Sequence, residues 1–152
     1  MAGTVIVTGA SRGIGAAIAR ELDARGFAVV GLSRSGASAA GRGVACDVTD
    51  EAALAAAIRG AGPLAGLVNN AGAHTARPSA ALPTAEWEQV LRLDATAAFI
   101  ACREAHAGLV ANGGGTIVNI GSFFGALGVP GSLAYCAAKA AVGAMTRVLA
   151  SE

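Results

Sequence analysis

Short apolar runs alternate with helical patterns along the whole chain, and this alternation limits the possible folds more than any other feature. The runs cover residues 3–8, 27–32, 43–46, 64–69 and 116–120. Continuous apolar runs of this length are typical of strands that are buried on both faces. Because the connections are long enough to hold a helix, they favour parallel pairing of the strands. The sequence therefore predicts a doubly wound α/β domain around a parallel sheet.

The segments between the runs carry the spacing and the end signals of helices. After the first run, three apolar residues recur at four-residue steps, and Gly26 ends the pattern as a C′ glycine does. We expect Thr49 to cap a second helix and Thr84 to cap a long third helix that reaches about Val110. The last helix is expected to be still running at Glu152.

A glycine-rich turn joins the first strand to the first helix. Gly9, Gly13 and Gly15 form the pattern G-x-x-x-G-x-G, directly after the strand and at the start of the helix. Glycines there allow a tight turn and close backbone approach, and a helix N-terminus favours a pyrophosphate. The turn predicts a dinucleotide site, although glycines in a tight turn also have a purely structural explanation.

Tyr135 and Lys139 are the only tyrosine and the only lysine of the chain, and they are four positions apart. Residues at this spacing share one face of a helix. An ammonium beside a phenol favours the phenolate, as a tyrosine acid/base requires near neutral pH. The pair therefore indicates acid/base chemistry; the alternative is an Ala-rich helix with one snorkelling lysine.

Together these features resemble the short-chain dehydrogenase/reductase family. Four motifs occur in the family's order: Thr8-Gly9-x-x-x-Gly13-Ile14-Gly15, Asn69-Asn70-Ala71-Gly72, Ser122, and Tyr135-x-x-x-Lys139. Ser122 precedes Tyr135 by thirteen residues, which is the family's usual interval. The resemblance implies that residues 1–152 form an NAD(P)-binding, Rossmann-like domain, the N-terminal part of the family's fold.

The resemblance also implies a reaction, in which hydride moves between a nicotinamide cofactor and a carbonyl or secondary alcohol, as in 3-oxoacyl-[acyl-carrier-protein] reductase-like members. Tyr135 would donate the proton, Lys139 would favour the phenolate and hold the ribose, and Ser122 would bind the substrate oxygen. Many members have an asparagine where this chain has Asp94. We expect Asp94 to pair with Lys139 or to raise the local proton affinity, and so to slow turnover or shift its pH dependence.

NADP(H) is the expected cofactor, with NAD(H) as the alternative. Where NAD-preferring members carry an acid, this chain has Ser33, followed by Arg34, and Arg12 lies in the glycine loop. Guanidiniums suit a 2′-phosphate, unless both arginines are merely solvated. The cofactor-binding residues that the resemblance implies are Gly9, Ser11, Arg12, Gly13, Ile14, Gly15, Ser33, Arg34, Asp47, Val48, Asn70, Ala71, Gly72, Tyr135 and Lys139.

Composition and charge argue against several other classes of protein. The formal net charge is +1, and no basic stripe marks a nucleic-acid partner. No apolar run is long enough to cross a membrane, and residues 1–3 have no charged n-region of a signal peptide. The 3 cysteines fit neither a disulfide framework nor a zinc site, and neither His74 nor His106 has a second ligand at metal spacing. We therefore expect a cytoplasmic protein without a metal.

Family members continue beyond the part that resembles this chain, with further strands, helices and a substrate lid. On this expectation the C-terminal strands and the lid are missing and the fifth strand is an open edge. Members also form dimers or tetramers through the helices that correspond to residues 84–110 and 132–152. The alternative to a carbonyl-reducing enzyme is a non-catalytic nucleotide-binding half-domain or an assembly partner.

Overall fold

The computed structural model describes residues 3–152 and shows a five-stranded sheet, all of whose neighbouring strands are parallel. The strand order is β3-β2-β1-β4-β5. The strands are β1 (Thr4–Thr8), β2 (Ala28–Ser33), β3 (Arg42–Ala45), β4 (Leu64–Asn69) and β5 (Thr116–Asn119). This arrangement confirms the doubly wound, Rossmann-like α/β fold that the alternating pattern predicts.

Within residues 3–152, five α-helices connect and cover the strands. They are α1 (Gly13–Ala24), α2 (Glu51–Arg59), α3 (Thr84–Leu91), α4 (Ala97–Ala111) and α5 (Leu133–Leu149). A π-helical segment, Arg92–Thr96, joins α3 to α4, and short 3₁₀ turns lie at Ser79–Ala81 and Phe123–Gly125. The long third helix of the sequence prediction is therefore continuous in direction but is interrupted by a π-helical turn.

The sheet is buried on both faces because successive side chains of a strand point in opposite directions. Ile6 packs with Leu54 and Ile100, on the side of α2 and α4. Val5 and Val7 belong to a separate cluster that includes apolar residues of α1. The two clusters fix the register of β1, and this places the carboxyl ends of the strands along one edge of the sheet.

Three helix ends differ from the sequence prediction. The cap of α2 is Asp50, whose carboxylate accepts the Ala53 N–H at 3.0 Å, and not Thr49, because the Thr49 hydroxyl donates to Asp47 instead. Thr84 is the first residue of α3 and makes no capping hydrogen bond.

The last helix ends at Leu149. Its final turn is closed by the side chain of Ser151, which donates to two helix carbonyl oxygens, so the helix does not run to the end of the chain.

β5 is the edge strand that the sequence predicts. It pairs with β4 on one side, and among residues 3–152 no strand pairs with its other side. Val118 is 43% exposed, although valine is typical of buried strand positions. An apolar edge of this kind exposes unpaired backbone groups, which makes it a surface that another segment or chain can cover.

Candidate active site at the carboxyl edge of the sheet

The glycine loop after β1 has the backbone that the motif requires. Gly9 and Gly13 have φ values of +69° and +57°, in the left-handed region that favours glycine. Gly15 is buried, and a Cβ there would overlap with the Gly9 carbonyl oxygen and the Asn70 amide. The loop therefore folds back tightly at the beginning of α1.

The N-terminus of α1 is open to an anion. Its cap residue, Arg12, makes no side-chain capping bond, and the first turn carries no acidic residue. The first N–H groups of a helix have no intrahelical partners, and the helix dipole adds positive potential at this end. Ile14 lies in the same turn with 63% of its surface exposed, and Ser11 and Arg12 are also exposed. An uncapped helix start beside an exposed apolar side chain fits a nucleotide.

Thr8 and Asn70 hold the glycine loop against the end of β4. The Thr8 hydroxyl accepts the backbone N–H groups of Asn70 and Ala71 at 3.0 and 2.9 Å. The Asn70 side chain donates to the carbonyl oxygens of Thr8 at 2.9 Å and Gly9 at 3.4 Å. The Asn-Asn-Ala-Gly motif is thus bonded directly to the start of the glycine loop, which lies 62 positions earlier in the sequence.

Gly15→Ala is expected to weaken binding of NADPH, the cofactor that the sequence predicts, at least tenfold, because the new methyl group overlaps with backbone atoms of the loop and displaces them. The same overlap should lower the free energy of unfolding by roughly 1–3 kcal/mol. Gly143→Ala in α5 is the matched control, since its Cβ would meet only the Arg147 side chain, at 3.7 Å. We expect that control to bind NADPH normally. The rise in melting temperature on adding NADPH reports the binding of NADPH by each variant. Equal rises in Gly15→Ala and Gly143→Ala would contradict the prediction.

The end of β2 carries Ser33 and not the acidic residue that would bind the ribose hydroxyls of NAD. Ser33 is buried, and its hydroxyl donates to the Ala37 carbonyl oxygen at 2.6 Å. Arg34 is exposed. The pKa of Asp47 is lowered, mainly by hydrogen bonds from Thr49 and to a lesser extent by the charge of Arg34, so Arg34 lies near Asp47. Val48, next to Asp47, is buried. The end of β2 itself therefore carries a serine followed by an exposed guanidinium and not a carboxylate, and the neighbouring carboxylate, Asp47, follows β3.

Tyr135 and Lys139 lie on one face of α5, as their spacing predicts. The Lys139 ammonium is 5.6 Å from the centre of the Tyr135 ring and donates to the Ile120 carbonyl oxygen at 3.1 Å. Ile120 follows β5, so this bond ties the helix face that carries Tyr135 and Lys139 to the edge of the sheet. Lys139 is buried, so its charge is little screened by water.

Asp94 projects from the π-helical segment toward Lys139. Asp94 is 2% exposed, and its Oδ1 lies 3.6 Å from the Lys139 Nζ. Ala73 donates its N–H to Oδ2 at 3.3 Å, whereas Oδ1 has no hydrogen-bond partner among the described residues. Burial raises the pKa of Asp94, and the Ala73 N–H and the Lys139 charge partly offset this. A Cβ at Gly72 would overlap with Oδ1, so the glycine of the motif allows this close approach.

Ser122 is placed beside Tyr135 through Phe124. The Ser122 hydroxyl accepts the Phe124 N–H at 3.2 Å and begins the 3₁₀ turn. The Phe124 ring lies edge-on to the Tyr135 ring, with the centres 5.7 Å apart. Within residues 3–152 the hydroxyls of Ser122 and Tyr135 are not bonded to each other, and both side chains are half-buried. Phe124 is therefore the residue that connects Ser122 to Tyr135.

His74 is the residue near the site that the sequence analysis did not assign. Its ring lies edge-on to Tyr135, with the centres 4.9 Å apart, and its Nε2 is 3.0 Å from the Ser132 hydroxyl. Ser132 is 58 positions away in sequence, so no local pattern could reveal the contact. The only available signal was that His74 follows the Asn-Asn-Ala-Gly motif by two residues.

The described residues contain neither a metal centre nor a transmembrane helix. Residues 3–152 have no cluster of three or more His, Cys, Asp or Glu side chains arranged to hold a metal. In the same part of the chain no helix has both the length and the hydropathy to cross a bilayer. Cys46, Cys102 and Cys136 are all free thiols.

Comparisons with known proteins agree with this architecture. The chain is 45% identical over 118 residues to "Inactive 2-(S)-hydroxypropyl-CoM dehydrogenase 2" of Xanthobacter autotrophicus, covering 75% of this chain and 51% of that one. It is 34% identical over 160 residues to a 3-oxoacyl-[acyl-carrier-protein] reductase of Vibrio harveyi, covering 97% of this chain and 66% of that one. A crystal structure of a short-chain dehydrogenase from Streptomyces avermitilis superposes with a TM-score of 0.92 at 29% identity, covering 99% of this chain and 60% of that one.

The chain therefore spans about half to two thirds of the length of these relatives. The family model of the short chain dehydrogenases matches residues 3–152, which is nearly the whole chain. The chain belongs to the short-chain dehydrogenase family.

Proposed function

We propose that this chain carries the cofactor site and the acid/base residues of an oxidoreductase that transfers hydride between NADP(H) and a carbonyl or secondary alcohol. The observation that carries the proposal is the Tyr135–Lys139 pair, with the ammonium 5.6 Å from the phenol ring. Relatives named as a 2-(S)-hydroxypropyl-CoM dehydrogenase and as a 3-oxoacyl-[acyl-carrier-protein] reductase support a substrate that carries a ketone or a secondary alcohol.

The residues present fit a nicotinamide dinucleotide. The glycine loop leaves no room for a Cβ at Gly15, and α1 begins with uncapped N–H groups. These groups would hold the pyrophosphate. Asp47 and Val48 would border the adenine, Asn70 to Gly72 would form the floor of the site, and Lys139 would bind the nicotinamide ribose. When bound, the cofactor supplies or accepts the hydride.

In the reducing direction, Ser122 and Tyr135 act on the substrate oxygen. Ser122 donates a hydrogen bond that positions the carbonyl, and Tyr135 gives its proton to that oxygen as the carbon is reduced. The phenolate that remains is stabilised by the nearby ammonium of Lys139. The reverse reaction uses the phenolate to accept the alcohol proton. Reduction of ketones and β-ketoesters with NADPH, compared between the wild-type chain and Tyr135→Phe, tests the proposal.

The preference for NADP(H) is supported by two exposed arginines, one in the glycine loop and one directly after β2. Ser33 directs its hydroxyl to Ala37 and leaves no acid for the ribose, while Arg12 and Arg34 are exposed and able to approach a 2′-phosphate. NAD(H) remains the weaker candidate, because Ser33, the residue that ends β2, is not an acid that would select for the unmodified ribose hydroxyls.

Arg34→Ser is expected to raise the KM for NADPH by about tenfold or more, the effect of losing a hydrogen bond to a charged group. The KM for NADH should change little, since NADH carries no 2′-phosphate for the guanidinium to bind. Arg20→Ser is the charge-matched control, because Arg20 is an exposed residue of α1 outside the glycine loop. Steady-state kinetics with both cofactors test this prediction. An equal rise in the KM for NADPH and in the KM for NADH would contradict it.

A homodimer or homotetramer is proposed to form through α3 to α5. Two of these helices, α4 and α5, leave large apolar side chains in water, among them Phe99, Val110 and Val148. Isolated exposed apolar residues are ordinary, but several of them on adjoining helices are typical of an interface. We also propose a cytoplasmic location, where the three thiols stay reduced.

A nucleotide-binding protein without catalytic activity is the second candidate, and Asp94 is the observation that favours it. A buried carboxylate 3.6 Å from Lys139 competes with the phenolate for the same ammonium. The relative from Xanthobacter that is 45% identical to this chain carries the word "inactive" in its name. NADPH binding without turnover that depends on Tyr135 would favour this candidate.

A further inference from the structure

A hydrogen bond joins the loop after β4 to the start of α5. Nε2 of His74 and Oγ of Ser132 are 3.0 Å apart, and which of them donates depends on the histidine tautomer. Ser132 is only 3% exposed and occupies the cap position of α5, yet its hydroxyl makes no bond to the helix backbone. The hydroxyl that would ordinarily cap the helix therefore serves as a partner for His74.

The same histidine also helps to fix the orientation of the Tyr135 ring. His74 lies edge-on to Tyr135 at 4.9 Å and to Phe124 at 5.5 Å between ring centres. Phe124 in turn lies edge-on to Tyr135 at 5.7 Å, and the Lys139 ammonium approaches the tyrosine ring at 5.6 Å. Aromatic rings prefer such edge-to-face contacts over arbitrary orientations. His74, Phe124 and Lys139 together define where the phenol points.

A second bond shows that the loop is seated on α5 as a unit. The Arg77 N–H donates to the Gly131 carbonyl oxygen at 2.7 Å, one residue before Ser132. Two successive residues ahead of α5 are thus bonded to the loop that carries His74. The other side of the loop, at Ala73, is bonded to Asp94.

We propose that His74 is a positioning residue that, through Ser132 and its contact with the tyrosine ring, holds Tyr135 in place for proton transfer. The proposal rests on the proposed function, in which Tyr135 is the acid. It assigns His74 an effect on kcat, because proton transfer depends steeply on the position of the hydroxyl. It assigns no effect on the KM for NADPH, because His74 contacts none of the residues proposed to bind the pyrophosphate or the adenine ribose.

The test compares His74→Leu, His74→Gln, Ser132→Ala and the double variant His74→Leu/Ser132→Ala. Glutamine reaches about as far as Nε2 and can bond to Ser132, whereas leucine cannot. We expect kcat to fall about tenfold in His74→Leu and in Ser132→Ala, with an unchanged KM for NADPH, and to recover to within about threefold in His74→Gln. The double variant should be no slower than either single variant, since both remove the same bond.

A second readout does not need activity. Tyr135 is the only tyrosine, so selective labelling of tyrosine gives one set of ring resonances that reports the ring's surroundings. We expect these resonances to shift in Ser132→Ala, which keeps the imidazole but removes its bond, and to shift further in His74→Leu and His74→Gln, which also remove the ring that lies 4.9 Å from Tyr135. His106→Leu, which changes an exposed histidine of α4, is the control and should leave them unchanged.

Three results would overturn the proposal. These are wild-type tyrosine resonances in Ser132→Ala, a His74→Gln variant as slow as His74→Leu, and a double variant whose loss is the product of the two single losses. A wild-type chain that turns over no substrate would overturn the proposed function instead. In that case the tyrosine resonances of the same four variants still decide whether His74 holds Tyr135.

Discussion

Tyr135→Phe is expected to lower kcat for ketone reduction by about 10²–10⁴-fold, the contribution of a positioned general acid. The phenylalanine ring keeps the edge-on contacts with His74 and Phe124, so the side chain should remain in place while the proton is removed. Lys139 keeps its bond to the Ile120 carbonyl oxygen, and the glycine loop is untouched. NADPH should therefore bind almost as in the wild-type chain, and the loss should appear in kcat and not in the KM for NADPH.

Trp87→Phe is the matched control for that experiment. Trp87 packs in the same apolar cluster as Tyr135 but belongs to α3 and carries no group of the proposed mechanism. It should lower stability without a specific effect on kcat. Steady-state kinetics and the rise in melting temperature with NADPH separate the two effects. A Tyr135→Phe variant that retains more than about a tenth of the wild-type kcat would exclude Tyr135 as the acid.

The sequence predicts most of this fold because its strands and glycines carry local signals. The run at residues 64–69 coincides with β4, and the other predicted strands agree with the observed ones to within a residue at each end. The π-helical turn at Arg92–Thr96 has no local signal, since its residues suit an ordinary helix. The cap of α2 was misassigned because Thr49 and Asp50 are both good capping residues, and only the bond from Thr49 to Asp47 excludes the first.

The candidate site is predictable to the extent that its residues are close in sequence or fit a family pattern. Tyr135 and Lys139 share a helix face because of their spacing alone, and the structure places them together. The burial of Asp94 and its distance from Lys139 depend on how α5 packs against the π-helical segment, so they needed the structure. The bond between His74 and Ser132 depends on a loop whose path no periodic pattern describes.

Lys139→Met is expected to destabilise the chain by about 3–5 kcal/mol at neutral pH, because it leaves the Asp94 carboxylate buried without its cation. Methionine is similar in length to the lysine side chain, so the loss should come mainly from charge and not from an empty space. Adding Asp94→Asn should restore most of the lost stability, because the double variant contains no buried charge at this place. Urea unfolding of the four proteins in this cycle measures the coupling between the two side chains.

The pH dependence of this cycle identifies Asp94 as the cause. Burial raises the pKa of Asp94 in the folded chain, so ionising this carboxyl lowers the free energy of unfolding. The protonated carboxyl gives its full contribution to stability below its ordinary pKa of about 3.9. That contribution is lost as the pH rises through the pKa of the folded chain. Without the Lys139 charge, which lowers that pKa, the loss should begin at the same pH but extend to a higher pH and be larger. The deficit of Lys139→Met relative to the double variant should therefore shrink as the solution is acidified. A deficit that is the same at every pH, or a double variant no more stable than Lys139→Met, would show that the two groups are not coupled.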